Sequence, residues 1–214
     1  MPRLREVPRS EATDETVLRM YNRIFQDRDP VAEPGTATGT KGDWWTVFAL
    51  VPEVFDHAVR GFGLYASPSR LLDPVLRELG QTRAGWLGGS QFVYSQHCKS
   101  CRKLGMSEEK IEAVPSWGVS DLFSPVERAV LAYTDALTLD RGRVDDKIFA
   151  QLQAHLTDEQ ILELTYITTL YISHATMCNA LRVEYDNVPD RIVEIAAPSG
   201  TQARDIGADI SLPD

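Results

Sequence analysis

Pro74-Val-Leu-Arg-Glu78-Leu-Gly-Gln-Thr-Arg-Ala-Gly-Trp86-Leu-Gly-Gly-Ser90-Gln-Phe-Val-Tyr94-Ser-Gln-His97-Cys98-Lys-Ser-Cys101-Arg-Lys-Leu-Gly105 reads as two helices joined by a tight turn. Pro74 suits the first position of a helix, where its missing N–H costs nothing, and Gly88-Gly89 suits the end of one. Ser90 can cap the next helix, which runs from about Gln91 to Leu104 and stops at Gly105. Neither segment alternates apolar and polar residues, so no strand competes.

Working outward, the same punctuation recurs. Asp14 can cap a first helix carrying Val17, Leu18, Tyr21, Ile24 and Phe25, with its end near Gln26. Residues 28–43 are rich in Pro, Gly and Thr without a period, which predicts an irregular connection and leaves a lid open as an alternative. Trp44, Trp45, Phe48 and Leu50 then form a short apolar helix, and Pro52 opens another through Val54, Phe55, Val59 and Phe62. This aromatic cluster reads as core or subunit interface. Past Gly105, Ser107-Glu108-Glu109-Lys110 starts a helix with an acidic first turn, and Ser124-Pro125-Val126-Glu127 is a capping box. Thr157-Asp158-Glu159-Gln160 repeats that signature before a long helix ending near Arg182. The pattern predicts an all-α chain. We divide it into an N-terminal helix and connection (1–43), a helical core domain (44–197) and a flexible tail or oligomer arm (198–214).

The bulk numbers narrow the function. With 43% hydrophobic and 25% charged residues, the 214-residue chain is composed like an ordinary globular domain. A net charge of -9 works against a nucleic-acid partner. Residues 1–10 carry four charges and no apolar run, so they do not resemble a secretory signal. The uncharged stretch 164–181 holds four Thr, one Ser, one His and one Asn, which favours a buried helix over a membrane span. Three cysteines without a signal segment point to reduced thiols, a metal or redox chemistry rather than a disulfide framework, and to a cytoplasmic location.

The segment Gln91–Ile111 resembles the signature helix of the carboxymuconolactone decarboxylase and alkylhydroperoxidase D-like family. The ordered set carries the likeness: Glu78 in an Arg-Glu-Leu context nineteen residues before His97, Gly105 eight residues after it, and Phe123–Ala132 matching the family's next helix. The resemblance covers roughly residues 45–185. It implies an all-helical fold, obligate homo-oligomers, and one of two chemistries: decarboxylation of a small lactone acid, or thiol-based reduction of hydroperoxides. In the peroxidase branch a Cys-x-x-Cys pair lies seven and four residues before the His, where this chain has Ser90 and Val93. A displaced pair, Cys98 and Cys101, lies on the other side of His97.

The residues themselves support the same division. A carboxylate beside an imidazole is the simplest acid–base couple near neutral pH, so Glu78 and His97 are the candidate catalytic pair; the bland alternative is a structural ion pair. Tyr94, one turn before His97, is a candidate substrate-binding hydroxyl. Cys101 is spaced i, i+4 from His97 and is the candidate attacking thiol, with Cys98 resolving; the bland alternative is two small packed residues. His174 and Cys178, with the two other cysteines, could supply zinc ligands, but a core histidine is the better reading and we expect no metal. The expectation is an enzyme that needs no dissociable cofactor and acts on a small organic acid or lactone. A thiol peroxidase or disulfide reductase and a non-catalytic oligomeric binding protein are the alternatives.

Overall fold

The computed structural model describes residues 1–65 and 67–184; the expected tail at 198–214 lies outside them. Among the described residues every regular element is helical: α1 (Glu15–Phe25), α2 (Asp43–Phe48), α3 (Pro52–Tyr65), α4 (Pro74–Leu87), α5 (Gln91–Lys103), α6 (Glu108–Ala113), α7 (Pro125–Leu139), α8 (Asp146–Gln153) and α9 (Asp158–Leu181). Short 3-10 turns lie at Arg9–Glu11 and Val114–Val119. The helix starts follow the capping chemistry. Asp14 accepts from the Thr16 and Val17 amides, Asp73 from Val75 and Leu76, and Ser124 and Glu127 form the reciprocal box. The helix α8, which periodicity does not suggest, is capped by Asp145 and buries Leu152. Among the described residues no helix is long and apolar enough to cross a membrane.

The described residues divide into two units, 1–70 with 180–184, and 71–179. In the first, α1 buries Val17, Met20, Tyr21, Ile24 and Phe25. The aromatic cluster is core: Trp44 stacks on Phe48 at 4.0 Å and lies 6.2 Å from Phe55, and all three are buried. Residues 28–42 are irregular and held by local bonds, such as Thr36 N–H to Thr40 O at 2.8 Å. Two carboxylates sit against this segment. Glu184 accepts from the Gly42 amide at 3.1 Å and the Trp44 amide at 3.3 Å, while its own N–H donates to Asp43 Oδ1 at 2.5 Å.

In the second unit α4 is central, with ten consecutive buried residues from Leu76 to Gly85. A helix buried on all sides must satisfy its own charges, and this one does. Arg83 donates to Asp135 on α7 at 2.6 Å and to the Pro115 carbonyl at 2.8 Å. Toward α5 the helices approach closely, because a Cβ at Gly85 would lie 2.7 Å from the Tyr94 amide nitrogen. Toward α9, Asn179 Nδ2 donates to the Gly88 carbonyl at 2.8 Å. These contacts aim successive faces of α4 at α7, α5 and α9.

Candidate active site

Glu78 lies on the α4 face that meets α5, fully buried. Its Oε1 accepts from Arg77 Nη2 at 2.7 Å and Nε at 3.1 Å. Its Oε2 is 2.8 Å from Nδ1 of His97, which α5 carries at 5% exposure. A buried carboxylate needs a charged or hydrogen-bonded partner, and Glu78 has one at each oxygen. An ionised carboxylate only accepts, so in this bond Nδ1 is the donor. A carboxylate, an oriented imidazole and a guanidinium facing the carboxylate's other oxygen make a unit that can take up and return a proton.

The His97 ring packs edge-on against Tyr171 of α9, with centroids 4.4 Å apart and planes at 86°. Tyr171 in turn lies 5.9 Å from His174, which also faces Phe92 at 6.0 Å. Burial, with His97 nearby, pushes His174 down to about 4, so it is neutral at physiological pH. Among the described residues no group of three or more His, Cys, Asp or Glu side chains is placed to hold a metal ion.

The sulfur side of α5 is a separate cluster. Cys98 and Cys101 pack with Ile111, Tyr94 and Met106. Cys101 is fully buried, with Sγ 3.4 Å from Thr82 Oγ1, and burial pushes its thiol up to about 12. Cys98 is raised as well, chiefly by burial, despite a hydrogen bond with Tyr94. All three cysteines are buried thiols. The structure therefore brings Glu78 and His97 together and joins Tyr94 to Cys98, on the face of α5 that packs toward α6.

Two neighbours of the pair escape a reading of the sequence. Arg77 is visible there only as part of the Arg-Glu-Leu motif, although adjacent opposite charges in an apolar helix are a signal for a buried pair. Tyr171 gives no signal beyond lying one turn before His174.

Residues 52–136 match the profile of the carboxymuconolactone decarboxylase family. The chain is carboxymuconolactone decarboxylase-like. The protein YdfG of Bacillus subtilis (strain 168), itself uncharacterised, is 32% identical over 97 residues, covering 45% of this chain and 66% of that protein. The chain thus spans just under two thirds of that relative. YnjA of Escherichia coli (strain K12), also uncharacterised, is 28% identical over 140 residues, 65% of this chain and 75% of its own. Among solved structures, the Agrobacterium tumefaciens protein ATU0492, a protein of unknown function for which AhpD-type antioxidant defence has been suggested, is 28% identical with a TM-score of 0.58, covering 63% of this chain and 92% of that one. The debrominase Bmp8, in complex with 2,3,4-tribromopyrrole, shares the fold at 16% identity and a TM-score of 0.63, covering 85% of this chain and 90% of its own. The carboxymuconolactone decarboxylase-like match spans α3 to most of α7, and so includes Glu78, His97 and both α5 cysteines.

Proposed function

We propose that this chain is an enzyme that uses Glu78 and His97 for acid–base chemistry on a small organic acid or lactone, without a dissociable cofactor. The observation that carries this reading is the Glu78 to His97 hydrogen bond at 2.8 Å, locked from behind by Arg77. His97 Nε2 removes a proton from a substrate C–H or O–H bond, whose electron pair stays on the substrate. Glu78 stabilises the imidazolium that forms. In a decarboxylation the electrons of the breaking C–C bond pass into the adjacent carbonyl, carbon dioxide leaves, and the imidazolium protonates the carbon. Turnover of a panel of small lactone acids should be lost in Glu78→Gln and His97→Ala with the fold retained. Wild-type rates in both variants would sink the reading.

A second reading, thiol-based peroxide reduction with Cys101 attacking and Cys98 resolving, is supported by the likeness to ATU0492, for which antioxidant defence has been suggested. The burial of both thiols works against it, because the thiolate is the nucleophile. Formation of a Cys98 to Cys101 disulfide within seconds of stoichiometric hydroperoxide, measured by intact mass, would promote it.

The same proposal includes a homo-oligomer acting in the cytoplasm. Leu162, Tyr166, Thr169, Ser173 and Thr176 form an exposed, uncharged stripe along α9. A second copy is the occupant that the resemblance implies for such a face. Light scattering at micromolar concentration reads the subunit number, and a strict monomer would remove this part of the proposal.

A further inference from the structure

Gln81 is fully buried in α4, and neither its Nε2 nor its Oε1 has a hydrogen-bond partner. Buried amides are almost always satisfied, so one that lacks both bonds calls for a ligand, a water or a functional role. Its place on the helix limits the choice. Gln81 is three residues from Glu78 and four from Arg77, so the three side chains share a face. Seven residues further, on the same stripe, Gly88 meets Asn179 of α9. Gln81 therefore lies where α4 turns from α5 toward α9, the seam at which His97 packs on Tyr171.

A second polar atom on that seam is also unsatisfied. Thr134, Thr165, Thr169 and Thr176 each donate their hydroxyl to the carbonyl one turn back. Thr168, buried and one turn before Tyr171, makes no such bond. Its Oγ1 would lie 3.1 Å from a Cβ at Gly80, the residue beside Gln81.

We propose that Gln81, assisted by Thr168, is the substrate-positioning residue of the Glu78 and His97 site, and that the group it binds is neutral, with a carbonyl acceptor beside a hydrogen-bond donor. This rests on the acid–base reading for the identity of the site. A primary amide presents one N–H and one C=O along a single edge, which pairs with a lactam, a carboxamide or a protonated carboxylic acid. Nε2 donates to the ligand carbonyl and Oε1 accepts from the ligand N–H or O–H. The charges nearby are already engaged, Arg77 with Glu78 and Glu78 with His97, so a neutral group enters at lower desolvation cost than a free carboxylate.

The test is an NMR titration of the full chain with 2-pyrrolidinone, a lactam, and with γ-butyrolactone, which has the carbonyl but no donor. The lactam should shift the Gln81 side-chain NH2 pair and bind more tightly than the lactone. Gln81→Leu should weaken the lactam by about tenfold or more while leaving the lactone within a few-fold, because an amide-reading site discriminates by the bonds left unpaired. Gln81→Met serves as a second variant of different shape should the Leu form fold poorly. Equal lactam binding in wild type and variants, or no perturbation of the Gln81 NH2 by either probe, overturns the proposal. A more stable Gln81→Leu with unchanged probe binding would mean that the amide holds only a buried water, and overturns it too. Binding is read without turnover, so loss of the acid–base reading through Glu78→Gln kinetics is seen separately.

Discussion

His97 is held to Glu78 by a 2.8 Å bond at Nδ1, and the other oxygen of Glu78 is held by Arg77, its neighbour in sequence. The order guanidinium, carboxylate, imidazole runs from α4 to α5. The guanidinium favours the ionised carboxylate, and the carboxylate sets the tautomer of the ring.

Arg77→Met should therefore act on both stability and rate. Removing one partner of a buried charge pair costs about 3–5 kcal/mol. The double variant Arg77→Met with Glu78→Gln should lose less than the sum of the two singles, by about 1 kcal/mol or more, because it leaves no uncompensated charge. Urea unfolding of the four proteins in the cycle reads this directly; strict additivity would mean that the two groups do not depend on each other.

The α5 thiols should be inert in the native state. Iodoacetamide at neutral pH should leave Cys98 and Cys101 unmodified in the folded protein and label both after unfolding, as read by intact mass. The linkage follows from the raised Cys101 value. Folding favours the neutral thiol, so the contribution is fully present below about pH 9 and is lost as pH rises from there toward 12. Cys101→Ala should flatten that alkaline decline.

Glu184 makes an opposite demand to the usual surface carboxylate. Burial, with Asp43 beside it, raises it from 4.5 to about 8. The folded state then holds a proton that the unfolded chain releases, so stability is full below about pH 4.5 and falls as pH rises toward 8. Unfolding midpoints between about pH 5 and 8.5 should show this fall, and Glu184→Gln should reduce it. A flat wild-type profile over that range would contradict it.

Gly85→Ala should destabilise the chain by about 1–3 kcal/mol, since the added methyl meets backbone of α5 rather than a movable side chain. Thermal unfolding checks this. A neutral outcome would mean that α5 shifts to accommodate the methyl, in which case the distance between Glu78 and His97 should change as well.

The helices were legible because their causes are local. Asp14, Ser90, Ser107 and Ser124 act on amides within three residues, and those caps stand where spacing put them, while Asp73 caps the helix that Pro74 is expected to open. The helix α8 escaped because eight residues with one fully buried position give little periodicity. The pairing of Glu78 with His97 was also legible, because the Arg-Glu-Leu motif nineteen residues before the His resembles a known family's pattern and a Glu in an apolar helix needs a partner. Gln81 and Thr168 were not, since an amide or hydroxyl in a helix looks the same from sequence whether or not it finds a partner.

The sequence by itself determined the all-α class and the helix starts, products of short-range hydrogen bonding and apolar period, and offered the Glu78 and His97 pair through its resemblance to a known family. Only the tertiary structure decided which side of α5 each functional group faces. His97 turns to the carboxylate and Tyr171, whereas Cys98 and Cys101 turn into an apolar cluster where burial holds them protonated. Residues on neighbouring turns of one helix acquire opposite chemistry because solvation and charge are set by the helices packed against them.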